Sequence, residues 1–165
     1  MTQADNWTIR DFSSADAPAF AALNRRWIDE MFGVEEEDLR VLGHPEDEII
    51  AKGGHIAVAD QNGWVVGTGA IIPPHHNPQD GKKWLEIVKM ATDPSAQGRG
   101  IGTAVLNQLV DYARAEDAQA LWLETNSKLE AATALYQQTG FRMLDSEECW
   151  PTPYDRCNMQ MVMEL

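Results

Sequence analysis

The chain is 165 residues long, 44% hydrophobic and 24% charged, with 13 basic against 26 acidic residues and a formal net charge of −13. That length suits one domain over 1–165 with a full-sized core. The acidic balance argues against general binding to nucleic acid or to an anionic membrane, each of which needs a basic footprint, while leaving room for a local basic pocket.

The opening stretch, MTQADNWTIRDF, has no basic region leading into an apolar run. The longest apolar segment, WVVGTGAII, falls far short of the ~20 residues that span a bilayer. We therefore expect a cytoplasmic protein in which Cys149 and Cys157 stay reduced rather than paired. WTIRDF reads as a first strand. Ser13, Ser14 and Asp16 offer caps for a helix over APAFAALNRRWIDEMF, where Phe20, Leu23, Trp27 and Met31 recur at the spacing of one buried face. Acidic helical stretches follow at EEEDLRVL and PEDEIIAKG.

HIAVAD and WVVGTGAII then read as two strands joined at Asn62-Gly63, a tight-turn signal. PPHHNPQDGKK is a loop, and WLEIVKMAT a fourth strand stopped by Asp93-Pro94. Ile101, Val105, Leu106, Leu109 and Ala113 mark the buried face of a helix, and ALWLET is another strand. Ser127 and Glu130 spell a capping box before AATALYQQTG, a helix that Gly140 can end. In the tail, Cys157, Met159, Met161, Met163 and Leu165 alternate as the core face of a last strand, with room for a short extra strand after Phe141. Early hairpin strands followed by strand–helix–strand units predict a mixed α/β (α+β) protein whose sheet is flanked by helices.

Between the fourth strand and its helix lies QGRGIG, Gln97–Gly102. Glycine lets a ligand approach the main chain, and a helix start leaves amides without partners, so this is a place to hold phosphate. A P-loop would need lysine before Thr103, and there is none. The dinucleotide fingerprint G-x-G-x-x-G fails in both registers, because Thr103 or Val105 stands at the final glycine position. The remaining pattern, Q-x-x-G-x-G at Gln97, Gly100 and Gly102, resembles motif A of the GNAT superfamily of acyl-CoA-dependent N-acyltransferases. VKMATDPSAQGRGIGTAVL resembles that family's strand–loop–helix unit throughout, and LYQQTGF resembles its second signature, L-Y-x-x-x-G-F. NSKLEAATALYQQTGF with YDRCNMQM is similar to a bacterial branch, some of whose members follow a MarR-type DNA-binding domain; nothing in these residues reads as such a domain.

The resemblance implies the GNAT fold, with a central, largely antiparallel sheet, and acetyl-CoA as the acyl donor. It implies that main-chain groups of Gln97, Gly98, Arg99, Gly100, Ile101, Gly102 and Thr103 hold the pyrophosphate. Met90, Ala91 and Thr92 would hydrogen-bond the pantetheine arm along an opening between the fourth and fifth strands, with the Met90 amide as an oxyanion donor. Tyr136 would protonate the departing thiolate, the alternative being a tyrosine packed in the core. Glu86 is the candidate base that takes the amine's proton, against a solvated strand-face glutamate, with Glu124 as second choice. Many relatives carry asparagine where this chain has Leu129; Asn126 either takes over that cofactor contact or caps the next helix. Arg99 lies near the phosphates or points to solvent.

His75-His76 lacks the spaced third ligand of a catalytic zinc in sequence, so no metal is expected there. The acceptor, a small-molecule amine or a peptide, would be shaped by the N-terminal helices, the PPHHNPQDGKK loop and ECWPTPYDRC, with Trp84, Trp150 and Tyr154 either lining the pocket or packing. A homodimer is compatible with the family. The rival reading is a non-catalytic acyl-CoA-binding sensor on the same fold.

Overall fold

The computed structural model describes residues 6–165; Met1–Asp5, the start of the MTQADNWTIRDF stretch that reads as lacking a leader, lie outside them. Strands β1 (Trp7–Asp11), β2 (His55–Gln61), β3 (Trp64–Ile72) and β4 (Trp84–Thr92) form an antiparallel meander. β5 (Ala120–Thr125) joins β4 in parallel, and β7 (Met159–Glu164) inserts antiparallel between β5 and the short β6 (Arg142–Met143). The seven-stranded order is β1-β2-β3-β4-β5-β7-β6. The β2–β3 turn forms as its sequence predicts: Asn62 (φ 54) and Gly63 (φ 87) are both left-handed, matching the twist of the strands they join.

Helices α1 (Ala17–Met31) and α2 (Glu36–Gly43) cover one face of the sheet, and α3 (Ile101–Ala115) with α4 (Glu130–Thr139) the other. The α3 face is the one the periodicity predicts, since Ile101, Val105, Leu106, Leu109 and Ala113 are all buried. Met161 and Met163 of β7 join the same core.

Two local expectations change. On α1 the buried residues are Phe20, Asn24 and Ile28, while Met31 is 43% exposed and Leu23 and Trp27 are only half-buried. A polar residue can occupy that face because Asn24 donates to Phe20 O at 3.0 Å and accepts from Trp27 Nε1 at 3.3 Å. The Ser127–Glu130 capping box does not form. Ser127 is engaged by Asn158, whose Oδ1 accepts its amide at 2.9 Å, and α4 starts after Leu129 without a side-chain cap.

Strand β4 departs from regular pairing on both of its edges. Its pairing with β5 covers only Trp84 with Ala120, Leu85 with Leu121 and Glu86 with Trp122, although both strands continue further. Beyond Glu86 the sheet opens. On the other side, Thr68 pairs with Ala91 but Ala70 with Val88, so Lys89 and Met90 bulge opposite Gly69. Lys89 takes φ 55, and Val88 and Lys89 both face the α1–α2 side, where strict alternation would separate them. Gly69 makes the bulge possible: a Cβ there would stand 2.4 Å from Met90 Sδ.

Candidate active site

The opening between β4 and β5 is the mouth of a cavity of about 960 Å³. One end is backbone. The freed edge of β4 from Ile87 to Thr92 lines it, and the loop Gln97–Gly98 and the start of α3 at Gly100–Thr103 close it. Gly98 (φ 78) and Gly100 (φ 79) are left-handed, a conformation that any side chain would strain. The first α3 amide to reach a helical carbonyl is Ala104 N, on Gly100 O at 3.0 Å, so the amides before it start the helix without that partner. Gly102 is not left-handed, and a Cβ there would make an ordinary contact with Leu135 Cδ2 of α4 at 3.4 Å.

Met90, Ala91, Thr92, Gln97, Gly98, Gly100, Ile101, Gly102 and Thr103 therefore share one cavity with Tyr136 and Asn126. Arg99 does not line it; its guanidinium donates to Gln61 Oε1 at 3.1 Å, across the turn from β2. Asn126 borders the cavity but uses its amide on the chain. Nδ2 donates to Arg156 O at 2.6 Å, and Oδ1 accepts from Lys128 N at 2.8 Å. It ties the tail to the start of α4.

Tyr136 is 7% exposed, and its ring packs edge-on to Phe141. Burial pushes its hydroxyl up to about 12, which keeps the proton in place at neutral pH. The residue is thus both a core residue and a cavity residue.

The other end of the cavity is built from side chains. Glu86 on β4 and Glu124 on β5 project to the same face of the sheet, where the strands begin to part. Glu86 is 2% exposed and accepts from His75 Nδ1 at 2.7 Å and from His75 N at 3.1 Å. His75 Nε2 in turn meets Pro151 O at 2.6 Å. The hydrogen bond to Glu86 raises the imidazole to about 9, so His75 is a cation that spans a carboxylate and a carbonyl. Glu86 is therefore neither solvated nor free.

Glu124 is in the opposite condition. Both its oxygens are sealed from solvent with no hydrogen-bond partner; the Thr152 hydroxyl is near enough to pull its pKa down slightly but lacks bonding geometry. Burial, with the Glu86 charge nearby, pushes it up to about 7. A carboxyl poised there can exchange a proton at neutral pH.

Behind the carboxylates lies a group that the sequence does not announce. Asp38 on α2 is fully buried and takes Lys89 Nζ at 2.7 Å, Arg156 Nη1 at 2.5 Å and Arg156 Nη2 at 2.8 Å. Burial alone would raise Asp38, but the Arg156 hydrogen bond and the Lys89 charge hold it at about 2. Arg156 also reaches Glu35 at 3.2 Å, and the Tyr154 hydroxyl accepts from Lys89 at 3.1 Å. The cluster fixes the Tyr154–Cys157 segment as a cavity wall beside Trp27, over whose ring the Arg156 guanidinium lies at 5.9 Å. Trp84 and Trp150 are not in that wall: Trp150 stacks on Trp122 at 4.7 Å and takes Trp84 edge-on at 5.0 Å, anchoring the segment from outside. Cys149 and Cys157 are unpaired. Cys157 lines the cavity, and burial pushes its thiol up to about 12.

Among the described residues no helix is long and apolar enough to cross a membrane. Residues 7–141 match the Acetyltransferase (GNAT) family. The chain is 28% identical over 163 residues to YjgM of Escherichia coli, an uncharacterized N-acetyltransferase, covering 95% of this chain and 94% of the relative. In fold it is similar to an acetyltransferase of the GNAT family from Staphylococcus aureus, with a TM-score of 0.82 at 19% identity over 96% of this chain and 98% of the other. It is similar also to yncA of Salmonella typhimurium, a structure that includes its cofactor acetyl-CoA, with a TM-score of 0.77 at 19% identity over 96% and 94% of the two chains.

Proposed function

The chain belongs to the GNAT family of acetyltransferases, and from that premise we propose that it moves an acetyl group from acetyl-CoA directly to the amine of a small molecule or peptide, as one domain over 1–165. The carrying observation is that one cavity joins the glycine loop and the freed β4 edge to Tyr136 and to a Glu124 whose oxygens have no hydrogen-bond partner.

In this reading the amides of the Gln97–Thr103 loop receive the pyrophosphate, and the β4 edge receives the pantetheine arm as an added strand. The bulge turns the main chain at Lys89–Met90, and the Met90 amide is the donor that steadies the oxyanion. An alkylamine is mostly protonated at neutral pH, with a pKa of ~10 on the lysine scale. Glu124 takes the amine's proton, directly or through a water, and the neutral amine attacks the thioester carbonyl. The tetrahedral intermediate expels the thiolate, which takes the Tyr136 proton. The proton still to be lost from the attacking nitrogen restores the phenol, so that the one net proton stays on Glu124 until solvent takes it. The base role thus passes from Glu86 to Glu124, because Glu86 is held by His75 whereas Glu124 has both oxygens uncommitted. Direct transfer is favoured over an acyl-cysteine because the Cys157 thiol stays protonated, and the thiolate is the nucleophile.

The test is CoA release from acetyl-CoA with amino acids, polyamines, aminoglycosides and peptide N-termini as acceptors. An enzyme releases CoA with at least one class, and the rate falls on the acid side near pH 7 as Glu124 takes its proton. Tight acetyl-CoA binding without release across the panel would favour the sensor reading.

A further inference from the structure

His75, Glu86 and Glu124 offer one ligand atom each, all within 4.8 Å of one another; the two carboxylates line the cavity, and His75 reaches Glu86 from outside that lining. In sequence His75 has only His76 beside it. The two carboxylates arrive from separate strands, and only where β4 and β5 part. We propose that His75 Nδ1 and one carboxylate oxygen each of Glu86 and Glu124 form a binding site for a divalent transition-metal cation, zinc above all, and that an ion held there stops acetyl transfer by occupying Glu124.

Three features beyond proximity support the assignment. One imidazole with two carboxylates is a donor set that zinc accepts, with a fourth, open position. The other imidazole nitrogen is already held by Pro151 O at 2.6 Å, as metal-bound histidines are usually held, which aims Nδ1 at the carboxylates. Glu124 brings two buried oxygens that no protein group satisfies. Ligand atoms around tetrahedral zinc stand about 3.4 Å apart. The His75–Glu86 contact of 2.7 Å must widen slightly and Glu124 must close in, both within side-chain motion in a cavity.

Binding displaces the proton between His75 Nδ1 and Glu86 to solvent, together with any proton on Glu124; the other imidazole proton stays on Nε2, donated to Pro151 O. The other polar or ionisable groups that face these three are Thr152, Tyr154, Arg156 and Cys157 of the tail segment, and Arg156 is already spent on Asp38 and Glu35. The fourth position faces the cavity, where an acceptor amine arrives.

The inhibitory consequence rests on Glu124 as base; the binding site does not. Dialysed protein without acetyl-CoA is titrated with zinc against a chromophoric chelator, in two buffers that differ in ionisation enthalpy, and with cobalt followed by visible absorption. We expect one site, net proton release, and a cobalt spectrum of nitrogen and oxygen ligation. His75→Ala and Glu124→Gln should each weaken the site by more than about tenfold. Cys149→Ser with Cys157→Ser should leave it unchanged. No zinc binding to the wild type, a thiolate charge-transfer band, or undiminished affinity in His75→Ala would overturn the site. Zinc binding at this site in a chain that releases no CoA would leave the site standing and remove the catalytic reading alone.

Discussion

The two ends of the cavity are built by different means. The end proposed for the cofactor is backbone: a freed strand edge, two left-handed glycines and the start of α3. The end proposed for the acceptor is side chains, Glu86 with Lys89, Glu124, and Tyr154 with Arg156 and Cys157, backed by His75 and Asp38: five separate stretches, held largely by charge. Main-chain groups present the same chemistry whatever the sequence, so the first end tolerates change at its non-glycine positions. The second depends, Glu124 apart, on each ion having its partner.

The largest difference should appear on breaking the buried cluster. Asp38→Asn leaves Lys89 without a carboxylate and Arg156 with Glu35 alone, the two cations being 4% and 9% exposed at the side chain. Destabilisation by about 3 kcal/mol or more is expected, read by urea denaturation. A loss below about 1 kcal/mol would mean that water already screens the cluster.

Next comes Glu124→Gln, with kcat down by about 100-fold or more at neutral pH, acetyl-CoA affinity unchanged, and the acid limb gone from the pH–rate profile. This variant should not lose stability. A carboxyl raised in the folded state keeps a proton that the unfolded chain has released, so its contribution declines as pH rises from 4.5 through about 7. At about pH 8 the glutamine variant should match or exceed the wild type in Tm. A fall in both rate and Tm would instead describe a structural residue. Tyr136→Phe should lower kcat by about tenfold with unchanged acetyl-CoA affinity; wild-type turnover would leave the tyrosine only its packing. Gly100→Ala is the smallest change, because the cost is one strained φ: about 1 kcal/mol in stability and weaker acetyl-CoA binding, with the pH profile intact.

The same contrast explains what the sequence discloses. The glycine loop, the strand before it, the α3 face and Tyr136 are local patterns, and local patterns survive as spacing. The Asn62-Gly63 turn and the alternating methionines of β7 are legible for the same reason. The partner of Glu86 is 11 residues away on a loop whose prolines hide any period, and Asp38, Lys89 and Arg156 meet across separations of 51 and 118 residues. Lys89 is harder still. Its position on a regular strand would send it to the α3 side, and only the bulge opposite Gly69 turns it toward Asp38. Asn24 shows how period alone misleads, since a self-satisfied amide takes the core position that an apolar stripe assigns to Trp27 and Met31.

Strand pairing joins the two halves of the sheet only at Trp84–Glu86 against Ala120–Trp122, a pivot at the base of the opening, and beyond it the Asp38–Lys89–Arg156 cluster ties them a second time. Lys83 O reinforces that pivot by accepting from Gln119 N at 2.8 Å. The gap that runs to Thr92 is thereby braced at both ends, by the packing of Leu85 and Leu121 at the pivot and by buried ions further along, like a purse held at hinge and clasp.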